Sequence, residues 1–143
     1  MDQENIFFFA QEIEFTLESE ESVANWLLSI LGQNEQEADC INFIFCSDED
    51  LLQLNREHLD HDYLTDILTF PLSPPDEALM ADIYISVDRV IENANTFGVS
   101  FRDELHRVMV HGILHLIGYE DGTDADKTAM REQESKALAM RTF

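Results

Sequence analysis

The chain has 143 residues, 45% hydrophobic and 10% aromatic, enough to bury a core without disulfides, so wholesale disorder is excluded. Its 30 Asp and Glu against 8 Lys and Arg give a formal net charge of -22. That charge repels polyanions and anionic membranes at long range and excludes broad electrostatic binding to nucleic acid. One domain over residues 1–143 is expected.

Met1 to Asn5 carries acids and no Lys or Arg, unlike a secretory or transit leader, so a cytoplasmic protein is expected. The longest apolar stretches, Ile6 to Ala10 and the run around Val108 to Ile117, are too short or too interrupted by His111 and His115 to span a bilayer. Phe7 to Phe15 reads as one or two short aromatic strands. Ser19-Glu20-Glu21-Ser22 offers caps for a helix through about Leu31, stopped at Gly32. Cys40 to Cys46 is a strand, and Ser47-Asp48-Glu49-Asp50 opens a helix with Leu51, Leu54 and His58 on one face. Cys40 and Cys46 share a face of their strand but lie roughly 20 Å apart at about 3.3 Å per residue, too far to bridge. Buried thiols in a reducing compartment are expected.

Thr65 to Phe70 reads as a strand stopped by Pro71 and followed by the turn-rich Ser73-Pro74-Pro75-Asp76. Ala81 to Ser86 is a strand with Ile83 and Ile85 on its apolar face and Asp82, Tyr84 and Ser86 on its polar one. A helix from Val87 to about Phe97 ends at Gly98. The next runs from about Phe101 to Ile117, with Ser100 as N-cap and Gly118 as stop. Its apolar residues cover nearly the whole circumference, as expected of a central, buried helix. Gly122-Thr123-Asp124 caps a last, more polar helix carrying Ala129, Met130, Ala137 and Leu138. The acidic clusters at Glu18 to Glu21 and Asp48 to Asp50 read as helix starts and solvated surface.

His111 and His115 are four apart on the buried helix, one turn above each other and able to reach a single ion. Unsatisfied, each would cost about 1 to 3 kcal/mol, and a metal satisfies both. Beyond Gly118 the chain returns through Tyr119-Glu120 to Asp121, giving H-x-x-x-H-x-x-G-x-x-D and three ligands, with a fourth position for water as in catalytic zinc sites. Glu120 and Asp124 are the alternative acids. His106 falls on the opposite side of the helix, a packing or surface residue. His58 and His61, near Asp60 and Asp62, belong either to a solvated acidic face or to a substrate contact. Asp66, Asp82 and Glu104 read as turn or sheet-edge polar residues, although Glu104 lies on the His111 face two turns back. Zincin peptidases place a Glu directly after the first His as general base; here that position is Gly112, which disfavours ordinary peptidolysis.

Four segments, Leu54-Asn55-Arg56-Glu57-His58, Leu64 to Pro71, Asp82-Ile83-Tyr84-Ile85-Ser86 and His111 to Tyr119, occur in an order that resembles the YbeY-type metal-dependent endoribonucleases of ribosomal RNA maturation. The resemblance implies an α+β fold with a mixed four-stranded sheet and helices around a central, zincin-like metal-bearing helix. It also implies one zinc per chain, on His111, His115 and Asp121, endonuclease action on single-stranded RNA, and a role in 16S ribosomal RNA processing and ribosome quality control. The implied partners are ribosomal RNA and ribosomal particles or assembly proteins, not DNA and not a membrane. Two positions depart from the family pattern: Asp121 stands where the family has a third His, and Leu59 where it has an Arg suited to phosphate. Arg107 and His58 are the candidate catalytic contacts, with a salt bridge to Glu104 as the alternative for Arg107. Arg56, Arg89, Arg102 and Arg107 are the cations expected to line a groove near the metal. A zinc peptidase or amidase, and a non-catalytic assembly factor with structural zinc, are the rival functions.

Overall fold

The computed structural model describes residues 5–59, 65–74 and 76–143. Four strands and five helices follow in the order β1 (Ile6–Ala10), α1 (Glu20–Gln33), β2 (Ala38–Cys46), α2 (Asp48–Leu59), β3 (Ile67–Pro71), β4 (Leu79–Ser86), α3 (Val87–Phe97), α4 (Phe101–Leu116) and α5 (Asp124–Ala139). The sheet is mixed, in the order β1-β2-β4-β3, with β1, β2 and β4 parallel and β3 antiparallel to β4. The α+β expectation with a mixed four-stranded sheet holds. Pro71 closes an edge strand, where a missing backbone donor costs least.

Alternation of side chains across the strands divides the core. Ile41, Phe43 and Phe45 of β2 and Ile83 and Ile85 of β4 are buried on one face with Leu27 and Leu31 of α1 and Met109 and Ile113 of α4. The other face holds a smaller cluster of Cys46, Leu51 and Leu68 beneath α2. Among the described residues no helix is long and apolar enough to cross a membrane.

The differences from expectation have local causes. The first strand ends at Ala10 because Glu12 takes a left-handed φ of 58°, and Phe15 instead reaches Phe45, 4.7 Å between ring centroids, from irregular chain. Ser19 precedes α1 with φ 58° and makes no side-chain cap bond. Ser86, placed on the polar face of its strand, is fully buried: its hydroxyl donates to Asp48 Oδ1 (2.7 Å) and accepts from Arg89 N to cap α3. Both thiols are free, but only Cys46 is buried; Cys40 is half-buried. The caps expected at Ser100 and Thr123 form, the latter as a reciprocal capping box with Asp126.

His106 is buried against Trp26 and Phe143, with ring centroids 5.3 and 5.7 Å away, and its Nδ1 accepts from Arg141 at 2.9 Å. Burial first, then the Arg141 and Arg102 charges, pulls its pKa from 6.5 down to about 4. A His whose pKa is depressed by folding contributes its full stability above the unfolded value and loses it as pH falls toward the folded one. Relative to a His106→Gln variant, the wild type should therefore lose stability between about pH 6.5 and 4, by at most about 3 kcal/mol, in urea titrations across that range. Parallel pH profiles for the two proteins would contradict this.

Candidate metal centre

α4 packs against α3, α5 and β3. Its close approach to the sheet is made at Gly112, where an added Cβ would lie 2.8 Å from Ile67 Cδ1 and 3.3 Å from Ile83 Cγ2. The position after His111 thus faces Ile67 and Ile83 at the helix–sheet seam, where any added side chain meets their methyl groups.

With Gly112 against the sheet, His111 and His115 point into a cleft walled by the 65–71 stretch, Leu116 and Asp121. α4 stops at Leu116, and Gly118, with φ 107°, donates its N–H to His115 O at 3.2 Å as the chain reverses. The reversal returns Asp121 to the imidazoles. The two Nε2 atoms are 3.0 Å apart, and Asp121 Oδ2 lies 3.4 Å from that of His111 and 3.5 Å from that of His115. His111 is the most shielded and Asp121 the most open, with side-chain exposures of 18% and 49%.

The opposite ring nitrogens fix the tautomers. His111 Nδ1 lies 2.6 Å from Glu134 Oε2 and His115 Nδ1 lies 2.9 Å from the Tyr119 carbonyl oxygen. Both partners are acceptors, so both Nδ1 atoms carry the proton and both Nε2 atoms present lone pairs. Two imidazole lone pairs and a carboxylate oxygen therefore converge with no donor among them. A cation resolves that conflict. Tetrahedral zinc, with bonds of about 2.0–2.1 Å to nitrogen, sets neighbouring ligand atoms about 3.3–3.4 Å apart, close to the spacing here.

Behind His111 lies a buried charge network. Arg107 donates through Nε to Glu104 Oε1 (3.0 Å) and through its two terminal nitrogens to Glu104 Oε2 and to Glu134 Oε1, the latter at 3.0 Å. Burial alone would raise the Glu134 carboxyl, but the hydrogen bond from His111 and the Arg107 guanidinium hold it below the ordinary carboxylate range. Burial likewise opposes the Arg107 charge, and Glu104 and Glu134 more than offset it. The pairing of Arg107 with Glu104 is the alternative left open by the sequence, and the guanidinium keeps 24% exposure. Glu134 was missed by the sequence reading. Its signal is a carboxylate on the stripe of α5 that also carries Met130 and Ala137, at i, i+4 and i+7.

Asp66 lines the same cleft, and burial raises its carboxyl despite Arg107 and His111; its Oδ2 accepts from Asn93 Nδ2 at 3.3 Å. His58 is exposed on α2, with its ring 5.8 Å from that of Phe70, and does not line the cleft. His61 lies outside the described residues, as does the side chain of Leu59. None of the four arginines expected near the metal lines the cleft among the described residues. Arg89 is bound to Asp48 (2.8 Å) and Arg102 to the Phe143 carbonyl oxygen (2.6 Å), Arg107 is held as above, and no Lys or Arg lines the cleft among the described residues.

The family model described as Endoribonuclease YbeY matches residues 5–141. A curated Endoribonuclease YbeY from Cytophaga hutchinsonii is 45% identical over 143 residues, covering 100% of both chains. Another from Flavobacterium psychrophilum is 48% identical over 133 residues, 92% of this chain and 94% of that protein. The solution structure of a Thermotoga maritima protein superposes with a TM-score of 0.65 at 29% identity, covering 93% of this chain and 86% of that one.

Because Glu134 fixes the tautomer and basicity of His111, Glu134→Gln should weaken zinc binding about 10- to 100-fold in a chelator competition. It leaves all three ligand side chains in place. Unchanged affinity would contradict the role assigned to the carboxylate.

Proposed function

The chain belongs to the YbeY family of endoribonucleases, and from that premise we propose that it cleaves RNA at a zinc ion held by His111, His115 and Asp121. It is a hydrolase of RNA acting in ribosomal RNA processing. The observation that carries the metal reading is the convergence of three acceptor atoms whose histidine protons are committed elsewhere. Three ligands leave a fourth position for water, which favours a catalytic over a structural site, and Gly112 disfavours a peptidase. When bound, the ion supplies Lewis acidity, making water a nucleophile near neutral pH and offsetting charge on a phosphoryl oxygen.

The protein's own groups do the positioning. Glu104 and Arg107 hold Glu134, Glu134 holds the His111 ring, and the Tyr119 carbonyl holds that of His115. Arg107 is then a positioning residue acting through Glu134. Asp66, its carboxyl raised by burial, stands at the wall of the cleft. His58, outside the cleft, is assigned a contact with RNA away from the reacting atoms. The whole of residues 1–143 forms one such domain, with α4 as its zincin-like central helix, working in the cytoplasm on ribosomal particles or with assembly proteins. Net repulsion of -22 makes cleavage of naked RNA slow at physiological salt.

Purified protein should hold about one zinc per chain, and His111→Ala should lose both the metal and RNA cleavage, the latter by at least about 100-fold. Asp121→His should keep the metal and Asp121→Ala should not, as read by elemental analysis. Full metal in His111→Ala would end the site assignment. Metal binding without any cleavage above that variant, on naked RNA or ribosomal particles, would favour the non-catalytic assembly factor.

A further inference from the structure

The sequence has only 8 Lys and Arg among 30 acids, so each cation has many carboxylates to choose from. Arg89, Arg107 and Arg141 are in salt bridges, Arg102 is bound to a carbonyl oxygen and lies over the Phe143 ring, and Arg56 is engaged as well. The remaining three behave differently. Lys127, Arg131 and Lys136 all lie on α5, are exposed, and form no ion pair or side-chain hydrogen bond among the described residues. Together with Thr128, Glu132 and Ser135, all on α5, they border one shallow, open groove on the surface of that helix, with three positive charges against one negative in a chain of net charge -22.

Clustering without pairing is the informative combination. A solvated helix face in so acidic a protein would be expected to carry acids or self-paired charges, whereas here the unpaired positive charge of the described residues gathers on one flank of one helix. Lys127 and Arg131 are one turn apart, i and i+4, and Ser135 continues the same row with a hydroxyl. Such a row suits a chain of regularly spaced phosphates. α5 is also the helix that buries Glu134 against His111, and Arg131 is three residues from Glu134, a neighbour on the helix surface. The cations therefore ride on the element that positions the candidate metal ligand.

We propose that this α5 groove, Lys127, Arg131 and Lys136 with the Thr128 and Ser135 hydroxyls, binds the sugar–phosphate backbone of the single-stranded RNA substrate. The proposal rests on the nuclease reading for the identity of the polyanion and not on the metal site. The groove supplies the phosphate contacts that the cleft lacks, since no Lys or Arg lines the cleft among the described residues. Its contacts are sequence-independent, setting affinity and leaving the reacting atoms to the cleft.

The test is binding of a labelled single-stranded RNA of about 20 nucleotides to the full chain, by fluorescence anisotropy in chelator so that no cleavage intervenes. Three neutralised phosphates on a single strand give a log–log salt slope of about -2. The triple variant Lys127→Ala/Arg131→Ala/Lys136→Ala should weaken binding at least about tenfold at low salt and flatten the slope. A control with the same change in net charge, Gln11→Glu/Gln33→Glu/Asn95→Glu, should weaken it less than about threefold. In zinc-loaded protein the triple variant should raise KM and leave kcat within about twofold. Inorganic phosphate should compete no better than chloride at matched ionic strength. Equal binding by the triple variant and the control would overturn the proposal, as would saturation of the groove by inorganic phosphate alone. Because binding is read without metal, the groove can fail while metal-dependent cleavage stands, and cleavage can fail while the groove stands.

Discussion

The structure of the site depends on one buried carboxylate. Glu134 sits between the Arg107 guanidinium and the His111 ring, joining α5 to α4 at the point where the candidate ligands converge. A carboxylate this shielded depends on Arg107, since removing the charged partner of a buried ion pair costs about 3–5 kcal/mol, and His111 adds a hydrogen bond. The same pairing that makes the group tolerable fixes the imidazole: with its Nδ1 proton committed to Glu134, His111 turns its Nε2 lone pair on His115 and Asp121. Stability and chemistry share one interaction. Arg107, on the metal-bearing helix, is thereby paired with Glu104 and Glu134.

A second constraint runs along the seam between α4 and the sheet. Contact at Gly112 fixes the rotation of the helix, and that rotation sends the histidines toward the β3 edge. The position that would carry a peptidase's general base faces Ile67 and Ile83. Asp66, half-buried and with its carboxyl raised by burial, is the carboxyl that lines the cleft from the β3 side. The reversal at Gly118 completes the arrangement by folding an exposed acid back onto two shielded histidines.

Much of this was legible in the sequence because it is local. The His-x-x-x-His spacing, the glycine that stops α4, the caps at Ser100 and Thr123, and the alternation of Ile83 and Ile85 each depend on a few neighbouring residues, and each appears where expected. What escaped depends on elements far apart in sequence. Glu134 acts 23 residues from His111, and nothing near it in the chain marks it except its place on an apolar stripe. The first strand was overextended because the aromatic periodicity continues to Phe15 while Glu12 turns the backbone. The arginines near the metal motif depend likewise on distant partners: acids hold Arg89 and Arg107, and the Phe143 carbonyl oxygen holds Arg102.

An acidic nuclease also has to separate its long-range charge from its local chemistry. The net field discourages indiscriminate contact with nucleic acid, so productive binding requires local cations free of internal partners. On the proposed reading, the three converging acceptors form an open metal site. X-ray absorption of the zinc-loaded protein tests it most directly: two imidazole nitrogens and two oxygen donors at about 2.0–2.1 Å are expected, with loss of one oxygen donor or of the metal itself in Asp121→Ala. A sulfur shell, a third imidazole, or a spectrum unchanged by Asp121→Ala would contradict it.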